Sequence, residues 1–310
     1  DARNACLKLM TGPLHMIAQS TTCLGSLMRP LSWISLVAGN LDKVTRQMAK
    51  IIEIRKMNPS YRRPDILQHL LDAEYVGIDM ADKDAWKKNG RVKSRSLTTV
   101  EVVNFAATIF VAGYETIASS LSYLTFVLAK YTDVQEKVRQ EVVDTISEQG
   151  KLDFETVTRR LVYLEQVIKE TVRLYPPGLT FVTRQAKEDF AYRGTQFKAR
   201  TCFMVPLYQI QRDPRFWPDP LQFNPERFGS ENEAHLIKVA YMPFGLGPRN
   251  CVGKSMATLI LKLAMAKLLL QYRLELGPSQ MGEMQINSRA MVSTPENGPW
   301  VIIRHHNRHR

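Results

Sequence analysis

"PFGLGPRNCVGKSMA", residues 243–257, sets glycines at 245, 247 and 253, an arginine at 249 and a lone cysteine at 251 ahead of a long helix-forming run. The N–H groups and positive dipole end of a helix stabilise a thiolate, and glycines let backbone approach a flat ligand without side-chain collision. The alternative for any single cysteine is a buried structural thiol, because Cys is among the most buried residue types. The rest of the chain has to decide between them.

Outward from this loop, the chain of 310 residues is 45% hydrophobic and 23% charged, with 16 Gly and 16 Pro, the makeup of a globular protein with a substantial core. Cys6, Cys23, Cys202 and Cys251 form no C-x-x-C pair, which argues against a disulfide framework or a zinc site and fits a reducing compartment. The net charge of +12 is compatible with nucleic acid, an anionic membrane surface or an acidic protein partner. No nucleic-acid motif accompanies it, and the basic residues are not interleaved with exposed aromatics, so nucleic acid is excluded. The start, "DARNACLKLM", has no initiator methionine or signal-peptide pattern, so a fragment or processed chain is expected. The uncharged run Leu9–Met28 is broken by Gly12, Pro13 and Gly25 and reads poorly as a bilayer span.

Helix patterns dominate. Residues 41–57 end at Asn58-Pro59, and a second helix is expected from Pro64; the polar stretch Asp79–Ser96 reads as an exposed loop. A central helix at about 98–131, opened by a Thr98/Glu101 capping box, is apolar on almost every side and about 45 Å long. Glu115 in its middle favours a buried spine over a membrane span. A helix capped by Thr132 with Gln135 and stopped near Gly150 follows, then one at about 158–175 stopped by Pro176-Pro177. Short β-branched and aromatic runs between Thr180 and Tyr208 predict a small sheet, the proline-rich stretch 211–229 is irregular, and a final long helix spans about 252–272. Weak strand candidates and a disordered tail, "RHHNRHR", close the chain.

Phe244, Gly247, Arg249 and Cys251, with Gly245 besides, complete the pattern F-x-x-G-x-R-x-C, which resembles the haem loop of the cytochromes P-450 at 243–253. The resemblance makes Cys251 the axial iron ligand of haem b, pairs Arg249 with a haem propionate and packs Phe244 near the sulfur. A thiolate ligand pushes electron density toward iron and favours O–O cleavage. "KETVRLYPP" is similar to the family's E-x-x-R helix through Glu170 and Arg173, and "NPERF" supplies Arg227 to complete a structural network. A lone i,i+3 ion pair on a solvated helix would carry little weight. "FVAGYET" resembles the oxygen-activation segment through Ala112, Gly113, Glu115 and Thr116, where the acid and hydroxyl pass protons to bound dioxygen; close packing at Gly113 and a Thr116 back-bond are the bland reading. Arg184 sits where the family has a propionate-binding strand arginine, and Val111, Ala112, Leu179 and Thr180 would line a small, apolar substrate pocket.

The wording is closest to the microsomal branch that holds drug and steroid oxidases and thromboxane synthase. The resemblance therefore implies a mainly α fold with a small β part, and residues 1–310 as the C-terminal portion of one P-450 domain whose N-terminal portion is absent. It implies a monooxygenase that inserts one atom of O2 into a steroid, fatty acid or xenobiotic. Electrons would come from NADPH through the FAD and FMN of NADPH-cytochrome P-450 reductase. The site would lie at the cytosolic face of the endoplasmic reticulum membrane, held by an N-terminal anchor missing here. Arg249, Lys254, Lys262 and Lys267, with Arg159 and Arg160 heading another helix, form a candidate basic docking face, the alternative being an ordinary solvated one. Two other readings stay open: a haem-thiolate isomerase of a lipid peroxide, and an inactive fragment that does not assemble the haem site.

Overall fold

The computed structural model describes residues 36–58, 60–73, 97–179, 182–280, 282–287, 292–296 and 298–306. Leu9–Met28, the polar stretch Asp79–Ser96 and the last four residues of the tail lie outside the described residues. The chain divides into two compact units, Asp1–Tyr114 and Glu115–Arg310, and the division falls inside one continuous helix.

The first unit contains α1 (Leu36–Met57) and α2 (Ile66–Asp72). Asp65, rather than Pro64, begins α2: its side chain accepts from the Gln68 N–H at 2.9 Å, satisfying one of the helix's orphan donors. The same carboxylate takes a two-pronged bond from the Arg55 guanidinium, 2.7 and 2.5 Å, so one side chain caps α2 and ties it to α1. That guanidinium is the main reason the Asp65 carboxyl is lowered to about 2. The third helix, α3 (Thr99–Lys130), opens with the expected capping box: the Thr98 N–H donates to Glu101 at 2.9 Å, and the Glu101 N–H donates to Thr98 Oγ1 at 3.3 Å.

By length and composition α3 could cross a membrane, and one third of its most apolar window is buried. The buried-spine expectation holds for its second half, where Tyr123, Leu124, Phe126, Val127 and Leu128 are enclosed. In the first half Val100, Phe105, Phe110 and Tyr114 are exposed.

The second unit packs that second half into one core with α4 (Thr132–Gln149), α5 (Phe154–Arg160), α6 (Val162–Leu174), α8 (Lys254–Gln271) and β5 (Tyr272–Leu276). Val134, Val138 and Val142 recur at one-turn spacing along α4, and each fully buried side chain of this kind contributes about 1.5–3 kcal/mol. The Thr132/Gln135 cap does not form. Gln135 is buried instead, donating to the Leu128 and Leu274 carbonyls at 2.7 and 2.8 Å and accepting from the Leu274 N–H at 2.8 Å, because this seam between α3 and β5 has backbone groups to satisfy. Gly150 ends α4 in the left-handed conformation, φ 72°.

The single helix expected at 158–175 is two, α5 and α6, broken at Leu161, where ψ is 69°. Glu141 of α4 accepts the Tyr163 and Leu164 N–H groups at 2.6 and 2.9 Å, so a carboxylate from another helix starts α6 afresh. Among the described residues the β part comprises four two-stranded antiparallel ribbons. These are β1 (Thr183–Gln185) with β4 (Cys202–Met204), β2 (Phe190–Tyr192) with β3 (Thr195–Phe197), β5 with β8 (Val301–His305), and β6 (Ile286–Asn287) with β7 (Thr294–Pro295). A short helix, α7 (Leu207–Ile210), follows β4. Arg304 and His305, expected in the tail, are paired in β8, where Arg304 reaches Glu275 at 2.8 Å.

Behind the cysteine loop, the Arg173 side chain is wholly buried against Glu170, with Nε and Nη2 donating to its carboxylate at 2.7 and 2.8 Å. Its Nη1 donates to the Gln211 and Pro220 carbonyls at 2.6 and 2.9 Å, and the guanidinium lies 5.0 Å from the Trp217 ring centre. Arg227 completes the cluster, its Nε 3.4 Å from Glu170 and its Nη2 donating to Asp219 O at 2.8 Å, while the Asn224 N–H donates to Glu170 at 3.0 Å.

Removing one member leaves a buried charge unpaired. Arg173→Met or Glu170→Leu is expected to destabilise the chain by roughly 3–5 kcal/mol, read by urea unfolding. For Asp65 the sign follows from its depressed value: its contribution is present above the ordinary carboxylate range and is lost as pH falls toward about 2. The stability difference between wild type and Asp65→Asn is therefore expected to shrink between about pH 5 and about pH 2, measured by thermal melts at fixed ionic strength.

Candidate cysteine-loop site

Residues 243–253 leave the core as an irregular loop with one 3-10 turn at Gly247–Arg249. Gly245 and Gly247 both take positive φ, 71° and 74°, a conformation that side chains rarely adopt, so these two glycines are required by the path of the chain. The loop is closed by the Cys251 N–H donating to the Phe244 carbonyl at 2.8 Å. Cys251 is left exposed, which removes the structural-thiol alternative. The following helix begins at Lys254, with Gly253 as its cap, two residues later than the expected start at 252, so Cys251 stands two residues before the cap.

Arg184 projects from β1 to the same loop, donating to Leu246 O at 2.9 Å and to its neighbour's Thr183 O at 2.7 Å. Arg249 is exposed on the loop itself. The Phe244 end of the loop faces the second half of α3 across a cavity of about 30 Å³, lined by Thr116, Ile117, Ser120, Val172, Pro177, Pro243, Phe244, Ala257 and Leu261. A space of that size holds water-sized guests. It brings together Thr116 and Phe244, two residues 128 positions apart that the motifs single out.

Glu115 precedes Thr116 on α3 and is 6% exposed. Ser120, one turn on, donates its hydroxyl to Thr116 O at 2.8 Å, so the carbonyl beneath the cavity already carries a side-chain bond. Val111, Ala112 and Gly113 lie on the preceding turn of the same helix, in the first unit, Ala112 being exposed. Leu179 is half-buried just after Pro177, and Thr180 lies outside the described residues.

The basic face differs from expectation. Lys262 is 2% exposed and paired with Glu165 at 2.7 Å, with a further bond to Thr158 O at 3.1 Å, because α8 packs against α4, α5 and α6 and leaves this position no route to water. Arg159 and Arg160 end α5 rather than head a helix, and pair with Glu155 and Glu148. Arg249, Lys254 and Lys267 remain exposed. Ser119, Ser120 and Ser293 were missed by motif reading; the Ser119-Ser120 doublet in an otherwise apolar helix was the available signal.

The sequence profile of the cytochrome P-450 family matches residues 8–302. Thromboxane-A synthase of Sus scrofa is 33% identical over 286 residues, 86% of this chain and 53% of its own length. Cytochrome P-450 3A14 of Cavia porcellus is 36% identical over 230 residues, 74% of this chain and 43% of its own. The chain thus spans about half the length of the curated relatives it matches. A crystal structure of a cytochrome P-450 superposes with a TM-score of 0.73 at 26% identity, covering 95% of this chain and 61% of that one. A loop that presents one thiol, backed by a buried charge network and carried on this fold, is matched along nearly the whole sequence, and the chain belongs to the cytochrome P-450 family.

Proposed function

We propose that this chain supplies the thiolate side of a haem monooxygenase that inserts one atom of O2 into a lipophilic substrate. The observation that carries the reading is Cys251, exposed on a loop whose two left-handed glycines and 2.8 Å Cys251–Phe244 backbone bond hold it clear of the core.

The residues present fit the haem group that the family implies. Among the described residues no group of three His, Cys, Asp or Glu could hold a metal ion unaided. Cys251 offers a single exposed thiol, and its thiolate would serve as the protein ligand of a haem iron. Arg249, exposed on the loop, and Arg184, which reaches Leu246 O, are the cations that would pair with the haem propionates. Phe244, Pro243, Ala257 and Leu261 offer an apolar floor. Once bound, haem with a thiolate ligand supplies dioxygen binding and O–O cleavage.

The chain's own part is protons and shape. Thr116 Oγ1 orients and passes a proton into the cavity it lines, and the Glu115 carboxyl behind it is the source. Ile117, Val172 and Pro177 present an apolar surface that favours a steroid, fatty or foreign apolar substrate, with Leu179 as a further pocket residue. In this reading residues 1–310 are the C-terminal portion of one P-450 domain. Electrons come from NADPH by way of a flavoprotein reductase steered by Arg249, Lys254 and Lys267, at the cytosolic face of the endoplasmic reticulum membrane.

A second reading has its own support. The thromboxane-A synthase relative is similar over 86% of the chain, which favours isomerisation of a lipid peroxide without reductase or dioxygen.

The test begins with the carbon-monoxide difference spectrum of the reduced, haem-supplemented chain. A red-shifted Soret band is expected and is expected to vanish in Cys251→Ala; absence of haem uptake would mean that these residues do not assemble the site by themselves. With the full-length protein, Thr116→Ala is expected to lower NADPH-dependent turnover about 100-fold or more, with Thr116→Ser retaining most of it. Turnover of a lipid peroxide without NADPH, insensitive to Thr116→Ala, would establish the isomerase instead.

A further inference from the structure

Ser293 lies far from every motif in the chain, yet it is fully buried and each of its polar groups is engaged. Its N–H donates to Pro177 O at 2.8 Å and its hydroxyl to Pro176 O at 2.7 Å. Its carbonyl accepts the Ser119 hydroxyl, and its Oγ accepts from Tyr123 Oη at 3.4 Å. The neighbouring Val292 forms an antiparallel bridge with Gly178. Residues 292–293 are thus laid across 176–178 as a two-residue ribbon, and Ser119 and Tyr123 fasten that ribbon to α3.

Both ends of this clamp reach the cavity. Pro177 lines it from the loop side, and Ser120, adjacent to Ser119, lines it from α3. Tyr123 is enclosed and stacks on Tyr175 at 4.9 Å between ring centres, so the residue before Pro176 is held to the same helix face. Burial pushes the Tyr123 hydroxyl up to about 12, which keeps it a donor throughout the working range of pH. Proline carbonyls at 176 and 177 have no neighbouring N–H of their own residues to build a ladder, and Ser293 supplies the donors that a regular strand would have supplied.

We propose that Ser293 is a positioning residue: with Ser119 and Tyr123 it fixes the Pro176–Leu179 segment, whose Pro177 lines the cavity beside Thr116, and thereby sets the shape of the apolar surface that a lipophilic ligand meets there. The specificity role rests on the haem-site reading above; the clamp itself does not.

Two measurements on the full chain separate those parts. In amide hydrogen exchange, Ser293→Ala and Ser119→Ala are expected to raise exchange at Gly178, Leu179 and 292–294 by about tenfold or more, with Ser293→Cys intermediate and α4 and α6 unchanged. Unchanged exchange in that segment, or an equal rise throughout the molecule, overturns the clamp. In spectral titrations of the haem-loaded protein with lauric acid and progesterone, the ratio of the two dissociation constants is expected to shift about fivefold or more in Ser293→Ala and less in Ser293→Cys. A change of both constants by one common factor overturns the specificity role. A full-length wild-type protein that takes up no haem overturns the haem-site reading and the specificity role with it, while hydrogen exchange still decides the clamp.

Discussion

Arg173 is the constraint on which the rest of the second unit depends. A guanidinium cannot be left charged and dry without partners, and this one finds Glu170 on its own helix and two or more carbonyls from the proline-rich stretch 211–222. That stretch has almost no ladder of its own, so its course is set by the donors it must satisfy. Trp217, Phe228 and Ala240 then close a small apolar cluster beside the guanidinium, and the chain is delivered to Met242, where the cysteine loop begins. The cost of burying charge is offset only when every partner is present.

The same economy recurs wherever local sequence leaves backbone groups unsatisfied. Glu141 starts α6 from a different helix, at the expense of a carboxyl that burial pushes above its ordinary range. Gln135 leaves the cap its position suggests and bridges the end of α3 to β5. Lys262 turns inward to Glu165, whose carboxyl is lowered because the Lys262 and Lys169 ammonium groups outweigh its burial. Ser293 supplies donors to two consecutive prolines. In each case one long-range polar side chain performs what a neighbour in sequence performs in a simpler fold.

Helix α3 joins these structural demands to the chemistry. Its hydroxyl-bearing turn at Thr116, Ser119 and Ser120 is polar on the sides that face the cavity and the 292–293 ribbon, and its following turns are apolar where they enter the core. The cysteine loop is held differently, by left-handed glycines and a single backbone bond.

Most of the α elements were legible in the sequence because their signals are local: the Thr98/Glu101 box, the stop at Gly150, the Pro176-Pro177 pair that ends α6. The course of the cysteine loop was legible for a similar reason, since Gly245 and Gly247 at fixed spacing before Cys251 constrain the backbone whatever surrounds them. What the sequence by itself determined is therefore the helical class, the thiol-presenting loop and the pairing of Glu170 with Arg173, all set within a few residues of chain. The break at Leu161, the inward turn of Lys262, the reassignment of Gln135 and the Ser119–Ser293 clamp were decided only in the tertiary structure. Each depends on which unpaired N–H, carbonyl or charge another segment brings within hydrogen-bond distance, and no local pattern encodes that meeting.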